Sequence, residues 1–291
     1  RVDKDIEHIG LIAQDIVCAA SDNNARAFFC HALDGFGLGD KQLIVERHNK
    51  AVYVDGDRIV KVFKAEKPAS DVFNEALNIA RVTEAGVRVP KVLEVSQVAD
   101  GSWALSTEYV PGVTMRSLMD AAEGTEEYGS LLEQFVDFQI EIQNTEAPEL
   151  LKDQKSKVTN MIGKVKDLDP SVRYDLQMRA DRMAPGRSIC HCDFNPSNVI
   201  VTEDGTLYAC DWTHVTRGLP EADAAMTYIL FKMYHELHAD AYLDLFSKKA
   251  DIAKQKIHYW VPVMAAAELS RNRKDKEEFL RGQVDAATDI D

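Results

Sequence analysis

Residues 191–198 read HCDFNPSN, and this stretch decides how the rest of the chain is interpreted. Two apolar runs follow it, Val199–Val201 and Leu207–Cys210, and Glu203-Asp204-Gly205-Thr206 between them is typical of a hairpin turn. Folding the second run back on the first brings Asp211 beside Asn198. An Asp that can take a hydroxyl proton, followed by an Asn and a second Asp that can hold hard cations through oxygen, is the set that phosphoryl transfer uses.

HCDFNPSN followed by Asp211-Trp212 resembles the catalytic loop and the metal-binding Asp of aminoglycoside phosphotransferases and choline kinases, distant relatives of protein kinases. The usual form in that family is HGDFxPxN, so Cys192 stands where glycine is expected. The resemblance implies Asp193 as the catalytic base, Asn198 and Asp211 as ligands of Mg²⁺, and ATP as the phosphoryl donor. Gly218, Pro220 and Asp223 match a G-x-P-x-x-D pattern of the family, in which Asp223 braces the catalytic loop; His191 is expected to brace it as well.

The same resemblance implies an α+β, two-lobed protein-kinase-like fold. The small N-terminal lobe, residues 1–110, is expected to contain an antiparallel sheet of about five strands plus helices, with residues 1–40 as a helical extension. The larger, mainly helical C-terminal lobe is expected over residues 111–291. Strand-type composition at 41–64, 87–90, 92–95 and 103–110, and helical patterns from Thr114 to His191, agree with this division.

Lys61 is the candidate for the lysine that binds the nucleotide phosphates. It lies inside the apolar run Ile59–Phe63, where a charged side chain needs a reason. The helix predicted after Pro68 carries Glu75 within an apolar stripe, so the two side chains can pair, as the Lys–Glu pair of kinase-like folds does. Two alternatives stay open: Lys61 reaches solvent from an edge strand, or Lys64 takes its place.

Two further segments correspond to nucleotide-binding parts of the family. The turn that would cover the phosphates, Arg47–Ala51, contains no glycine, so the side chain of Asn49 or Lys50 would have to replace the usual backbone contacts. The segment Glu108–Gly112 resembles the hinge between lobes, which implies that the carbonyl of Glu108 and the N–H of Val110 contact adenine. The alternative for this segment is an ordinary strand end with a Pro-Gly turn.

Composition excludes several classes of function. The chain has 291 residues with 45% hydrophobic residues, no apolar run of membrane-spanning length and no signal-peptide pattern, so we expect a soluble, cytoplasmic protein that is not bound to a membrane. A net charge of −14 argues against nucleic acid as a partner and is compatible with a cationic small-molecule acceptor. Five cysteines suggest reduced thiols, and a zinc site at Cys190, His191, Cys192 and Cys210 lacks the usual C-x-x-C spacing.

The sequence therefore predicts a phosphotransferase that moves the γ-phosphoryl group of ATP to a hydroxyl of an amine-containing small molecule. An aminoglycoside-like acceptor is favoured over choline or ethanolamine, because the segment Trp212–Ala225 looks more like the aminoglycoside enzymes. A catalytically weak nucleotide-binding protein is the alternative that the glycine-free turn and Cys192 favour. A protein-substrate kinase is disfavoured, since no D-F-G or A-P-E segment follows Asp211. The C-terminal region offers acids and aromatics for an acceptor site, none of them assigned: Glu221, Glu236, Asp240, Tyr259, Trp260 and Glu268.

Overall fold

The computed structural model describes residues 42–47 and 50–285, which belong to two compact units. Among these residues, unit 1 takes in the chain from residue 42 to Gly124 together with Pro196–Thr213, and unit 2 takes in Thr125–Asn195 together with residues 214–285. The predicted helical extension over residues 1–40 lies outside the described residues, and so does Asn49. The predicted division into lobes at residue 110 stays a prediction.

Unit 1 is built on an antiparallel sheet of five strands in the order β1-β2-β3-β5-β4, as the sequence predicted. The strands are β1 (Gln42–Arg47), β2 (Lys50–Asp55), β3 (Arg58–Phe63), β4 (Val92–Gln97) and β5 (Trp103–Glu108). Gly56 turns β2 into β3 with a φ of 60°, a conformation that glycine adopts without steric cost. Alternation along β2 and β3 sends Ala51, Tyr53, Val60 and Val62 into a buried cluster, so the residues between them line the opposite face.

Helix α1 (Ala69–Glu84) packs on this sheet through an apolar stripe. It begins directly after Pro68, and it ends before Gly86, whose φ of 92° is typical of the residue that follows a helix. The strand predicted over residues 87–90 is wrong. Val87 and Val89 are buried, but Pro90 has no N–H to donate, and the segment pairs with the main chain only through single bonds such as Ala209 N to Arg88 O at 3.0 Å.

A small sheet completes unit 1. It contains β6 (Val113–Thr114), β8 (Val199–Val201) and β9 (Leu207–Ala209) in the order β6-β8-β9, and helix α2 (Met115–Ala121) follows β6 directly. The predicted hairpin is confirmed, because β8 and β9 pair antiparallel with Val199 opposite Ala209. Gly112 allows β6 to approach β8: a Cβ added there would lie 2.4 Å from the carbonyl oxygen of Val201.

Unit 2 is mainly helical. Its helices are α3 (Glu126–Asn144), α4 (Gln154–Lys164), α5 (Pro170–Asp181), α6 (Pro220–Tyr234), α7 (Glu236–Ala250), α8 (Lys254–Leu269) and α9 (Glu277–Asp285). Strands β7 (Ser188–Cys190) and β10 (Thr216–Gly218) form a two-stranded antiparallel sheet, and neither was predicted. The core includes Phe135 of α3 and Phe231 of α6, with ring centroids 5.7 Å apart. None of the described helices is long and apolar enough to cross a membrane.

Candidate active site

Lys50 and Lys61 point to the same face of the β2–β3 hairpin. Val52 lies directly opposite Lys61 across the two strands, and Lys50 precedes Val52 by two positions, so all three side chains share the face opposite the buried cluster. Lys61 forms an ion pair with Glu75 of α1, the contact that the sequence had suggested. The pair is well shielded, since the Glu75 side chain is 2% exposed and that of Lys61 15%.

The carboxylates around Lys61 decide its charge state. Burial by itself would lower the pKa of the Lys61 ammonium, but the charges of Asp211 and Glu75 raise that pKa above its ordinary value. Helix α1 is fixed at this position by the amide of Asn78, which donates to the carbonyl of Trp212 at 3.2 Å. That contact ties the helix carrying Glu75 to the segment carrying Asp211.

The β8–β9 hairpin brings Asn198 and Asp211 together. The N–H of Cys210 donates to the carbonyl of Asn198 at 2.8 Å, which extends the ladder by one step beyond the strands. Asp211 then adopts a φ of 62°, a left-handed conformation that Asp tolerates better than most residues. Its Oδ2 accepts a hydrogen bond from Lys50 Nζ at 2.9 Å, its Oδ1 accepts one from the Thr213 hydroxyl at 2.8 Å, and Lys61 Nζ lies 3.7 Å from Oδ1.

Asp211 is therefore a carboxylate held in its charged form. Burial would raise the pKa of this carboxyl group, but Lys61 and Lys50 hold it well below its usual range. The side chains of Asn198 and Asp211 both line one cavity, together with Lys50 and Lys61. Amide and carboxylate oxygens fit Mg²⁺, which is usually bound through one or two carboxylates plus substrate phosphates and water. The Lys50 ammonium already pairs with Asp211 Oδ2, one of the two oxygens through which Asp211 could bind a metal ion.

The cavity has a volume of about 230 Å³ and is largely apolar away from these charges. Its walls include Ile59, Leu105 and Ile200, and the predicted hinge residues Glu108 and Val110 also line it. Strand β5 ends at Glu108, whose N–H donates to the carbonyl of Lys91 at 2.9 Å. The cavity thus combines an apolar region next to the predicted hinge residues with a charged end, a combination that suits a nucleotide.

The loop that carries Asp193 is anchored within unit 2 by a buried network. Asp223 of α6 accepts the N–H of Cys192 at 2.7 Å through Oδ1 and the amide of Gln143 at 2.8 Å through Oδ2. Burial raises the pKa of the Asp223 carboxyl group, while these hydrogen bonds favour its charged form. His191 is buried, and its ring lies 5.8 Å from that of Phe194, which is itself fully buried.

Cys192 has the backbone conformation that glycine would supply. Its φ is 59°, and its thiol is buried beside the Thr216 hydroxyl, with Sγ and Oγ1 3.2 Å apart. Burial raises the pKa of this thiol, so it is a neutral packing group and not a nucleophile. No group of three or more His, Cys, Asp and Glu side chains that could hold a metal occurs within residues 42–47 and 50–285, a range that includes Cys190, His191, Cys192 and Cys210.

A basic side chain next to Asp193 was missed by the sequence reasoning. Arg271 follows α8, and its Nη1 lies 3.9 Å from Asp193 Oδ1. Arg271 and Arg273 also flank the fully buried carboxylate of Glu268, at 3.0 and 3.4 Å. Nothing in the local sequence of Arg271 marks it, because its contact with Asp193 joins segments far apart in the chain.

Comparisons with known proteins show the family and the fold. A family model described as the phosphotransferase enzyme family matches residues 41–254. No curated protein sequence was found to match the chain. Among solved structures, the chain is similar to a thermostable mutant of aminoglycoside phosphotransferase APH(4)-Ia in ternary complex with ADP and hygromycin B, with a TM-score of 0.65, 13% identity, and coverage of 91% of this chain and 97% of that one.

Two other aminoglycoside-related structures have the same fold. Aminoglycoside phosphotransferase APH(3'')-Id from Streptomyces rimosus is matched with a TM-score of 0.58, 16% identity, and coverage of 83% of this chain and 97% of that one. The GDP and kanamycin complex of APH(2")-IIia is matched with a TM-score of 0.56, 14% identity, and coverage of 93% of this chain and 100% of that one. These similarities confirm the predicted kinase-like fold class, with its five-stranded antiparallel sheet and larger helical part.

Proposed function

Because the chain belongs to the phosphotransferase enzyme family, we propose that it transfers the γ-phosphoryl group of ATP to a hydroxyl group of an amine-containing small molecule. The observation that carries the proposal is that Lys61, Glu75, Asn198 and Asp211 line the same cavity. Phosphoryl transfer needs positioning and charge neutralisation more than covalent chemistry, and these groups supply both.

Each residue has one task in this proposal. Lys61, held by Glu75, binds the nucleotide phosphates, while Glu108 and Val110 contact the base through the main chain. Asn198 and Asp211 hold Mg²⁺, which neutralises phosphate charge when bound. Asp193 orients the acceptor hydroxyl and takes its proton as the new bond to phosphorus forms and the bond to the ADP oxygen breaks.

The acceptor is proposed to be aminoglycoside-like, with choline or ethanolamine as the alternative. Structural neighbours bind hygromycin B and kanamycin, which are small molecules rich in hydroxyl groups. The arginine beside Asp193 favours testing acceptors without a positive charge as well, because Glu268, the acid next to it, is already paired. A screen should therefore include aminoglycosides, amino alcohols, neutral polyols and hydroxy acids, each with ATP and with GTP.

The test is nucleotide consumption by the wild type against Asp193→Asn. We expect Asp193→Asn to lower turnover by about 10²- to 10⁴-fold, the range of general base catalysis, and to leave the Kd for ATP within about twofold. Asp175→Asn, an exposed carboxylate on α5, is the matched control and should keep full activity. Retained turnover in Asp193→Asn removes this residue as the base.

A nucleotide-binding protein without turnover is the second candidate. Two observations favour it: the turn at Arg47–Ala51 contains no glycine, and the Lys50 ammonium is hydrogen-bonded to the carboxylate of Asp211. In that case the wild type binds Mg²⁺ and ATP but consumes no nucleotide with any acceptor in the panel.

A further inference from the structure

Lys50 is placed to reach the nucleotide phosphates from a second strand. It is the first residue of β2, so it follows the turn that covers the phosphates in related folds. Its side chain is 13% exposed and lines the cavity with Lys61 and Asn198. Its only carboxylate within ion-pair distance, among the described residues, is Asp211, at 2.9 Å.

The two lysines are compensated unequally. Lys61 has Glu75 as a dedicated partner and Asp211 at 3.7 Å, whereas Lys50 has Asp211 alone among the residues that the structure describes. Lys50 is thus the cation that this cavity holds less firmly.

Binding of magnesium changes this balance. The proposed function gives the Asp211 oxygens to the metal, and an ammonium left buried without an anion is strongly destabilised. The polyphosphate that enters with the metal carries several negative charges, and a lysine side chain can turn about its flexible four-carbon stem to reach them. No comparable anion is needed by Lys61, because Glu75 stays in place.

We propose that Lys50 is a second polyphosphate-binding lysine, which pairs with Asp211 in the free protein and exchanges it for phosphate when magnesium and nucleotide bind. This inference rests on the proposed function. A side-chain cation on β2 then performs the task that backbone N–H groups of a glycine-containing turn perform elsewhere. It also makes Asp211 available to the metal only when phosphate is present to receive Lys50.

The competing explanation is that Lys50 only neutralises Asp211. The two roles differ in how the effect depends on the ligand. If Lys50 binds phosphate, its substitution weakens the binding of ATP more than that of ADP and leaves the binding of adenosine unchanged. If Lys50 only stabilises the fold, its substitution lowers the apparent affinity for all three ligands equally, because it lowers the fraction of folded protein.

The experiment measures Kd values by titration calorimetry for ATP, ADP and adenosine, with and without Mg²⁺. In the presence of Mg²⁺, we expect Lys50→Met to raise the Kd for ATP by about ten- to a hundredfold and the Kd for ADP by less. The Kd for adenosine should change by less than about twofold. Lys50→Arg should recover most of the ATP affinity, and Lys91→Met, an exposed lysine of the same unit, should match the wild type. Equal losses for ATP and adenosine, or no loss for ATP, overturn the inference.

A second background keeps the test valid if Lys50→Met folds poorly. In Asp211→Asn the magnesium ligand is gone and Lys50 has lost its carboxylate, so Mg²⁺-free ATP should bind at least as tightly as to the wild type. Adding Lys50→Met to Asp211→Asn removes the Lys50 cation and restores the net charge of the wild type, while Lys61 is unchanged. The second substitution should weaken the binding of Mg²⁺-free ATP by about tenfold or more. An unchanged Kd between these two variants overturns the inference.

These outcomes separate the inference from the proposed function. A wild type that binds and consumes ATP while Lys50→Met keeps normal affinity leaves the function standing and removes Lys50. Binding without turnover still tests Lys50, because the readout is affinity. A wild type that binds no nucleotide under any condition overturns both.

Discussion

The Lys61–Glu75 pair offers the sharpest test of the site through stability. Glu75→Gln removes a negative charge that is 2% exposed and leaves the Lys61 ammonium, 15% exposed, with only Asp211 at 3.7 Å among the described carboxylates. Removing one partner of a buried ion pair typically costs ~3–5 kcal/mol. Because Asp211 still compensates Lys61 in part, we expect Glu75→Gln to lower the free energy of unfolding by ~2–3 kcal/mol.

A double-mutant cycle isolates the interaction. In Glu75→Gln/Lys61→Met both charges are gone, while Lys50 and Asp211 remain paired at 2.9 Å. The double variant should therefore be more stable than the sum of the single variants predicts, with a coupling of ~2 kcal/mol. Urea unfolding followed by circular dichroism gives the free energy of unfolding of the wild type and the three variants. The cycle is valid if all four proteins show the same dependence of this free energy on urea concentration.

The control is an exposed pair in the same unit. Glu94 and Arg58 lie 3.7 Å apart with both side chains exposed, so Glu94→Gln should change stability by less than ~0.5 kcal/mol. Equal effects of Glu75→Gln and Glu94→Gln would refute the reasoning from burial. The same Glu75→Gln protein should bind ATP severalfold more weakly, because Lys61 loses the group that positions it.

Two further predictions concern packing and pH. Gly112→Ala places a Cβ 2.4 Å from the Val201 carbonyl oxygen and should cost ~1–3 kcal/mol of stability, measured as a lower Tm. At Gly129 on helix α3 an added Cβ has no atom within 4 Å, so Gly129→Ala should stabilise the protein by ~0.5–1 kcal/mol. An unchanged Tm for Gly112→Ala contradicts the close approach of β6 to β8. Burial lowers the pKa of Lys157 from 10.5 to about 8, so the unfolded chain binds this proton more tightly, and the stability of the wild type should rise between pH 8 and about 10.5. The lowered pKa corresponds to a destabilisation of ~3 kcal/mol at pH 7, and the hydrogen bond from Lys157 to the His214 carbonyl offsets part of it. Lys157→Met should therefore be ~1–2 kcal/mol more stable than the wild type at pH 7. This difference should shrink between pH 8 and about 10.5, and a difference independent of pH would contradict the reasoning.

Local patterns were enough for the parts of the molecule in which chemistry and periodicity coincide. The β8–β9 hairpin follows from two apolar runs around Asp204-Gly205, and the hydrogen bond from Cys210 N to Asn198 O shows why Asp211 comes back to Asn198. Glu75 could be paired with Lys61 because a charge in an apolar strand and a charge in an apolar helical stripe each need a partner. The pairing of Lys61 with Glu75 and the closeness of Asp211 to Asn198 could therefore be predicted from the sequence, whereas the roles of these residues stay predictions.

The parts that were missed depend on contacts distant in sequence. Strands β6, β7 and β10 have two or three residues each, too few for alternation to be recognised, and they exist because a partner strand lies beside them. The segment at Val87–Pro90 has strand composition but lacks a ladder, since Pro90 cannot donate. Arg271 reaches Asp193 only through the packing of α8, which no local pattern reports.

The two departures from the family pattern, Cys192 and the glycine-free turn at residues 47–51, differ in what glycine would supply. At residue 192 the backbone keeps the left-handed conformation, at a cost of roughly 1–2 kcal/mol for a side chain other than glycine. The hydrogen bond from its N–H to Asp223 and the buried thiol beside Thr216 offset that cost, so the loop geometry does not depend on glycine itself. At residues 47–51 the missing glycine concerns contacts with a ligand, because a side chain hinders the close approach of a phosphate to the backbone N–H groups. A positively charged side chain can supply such a contact instead, and among the described residues of that turn Lys50 is the one that lines the cavity.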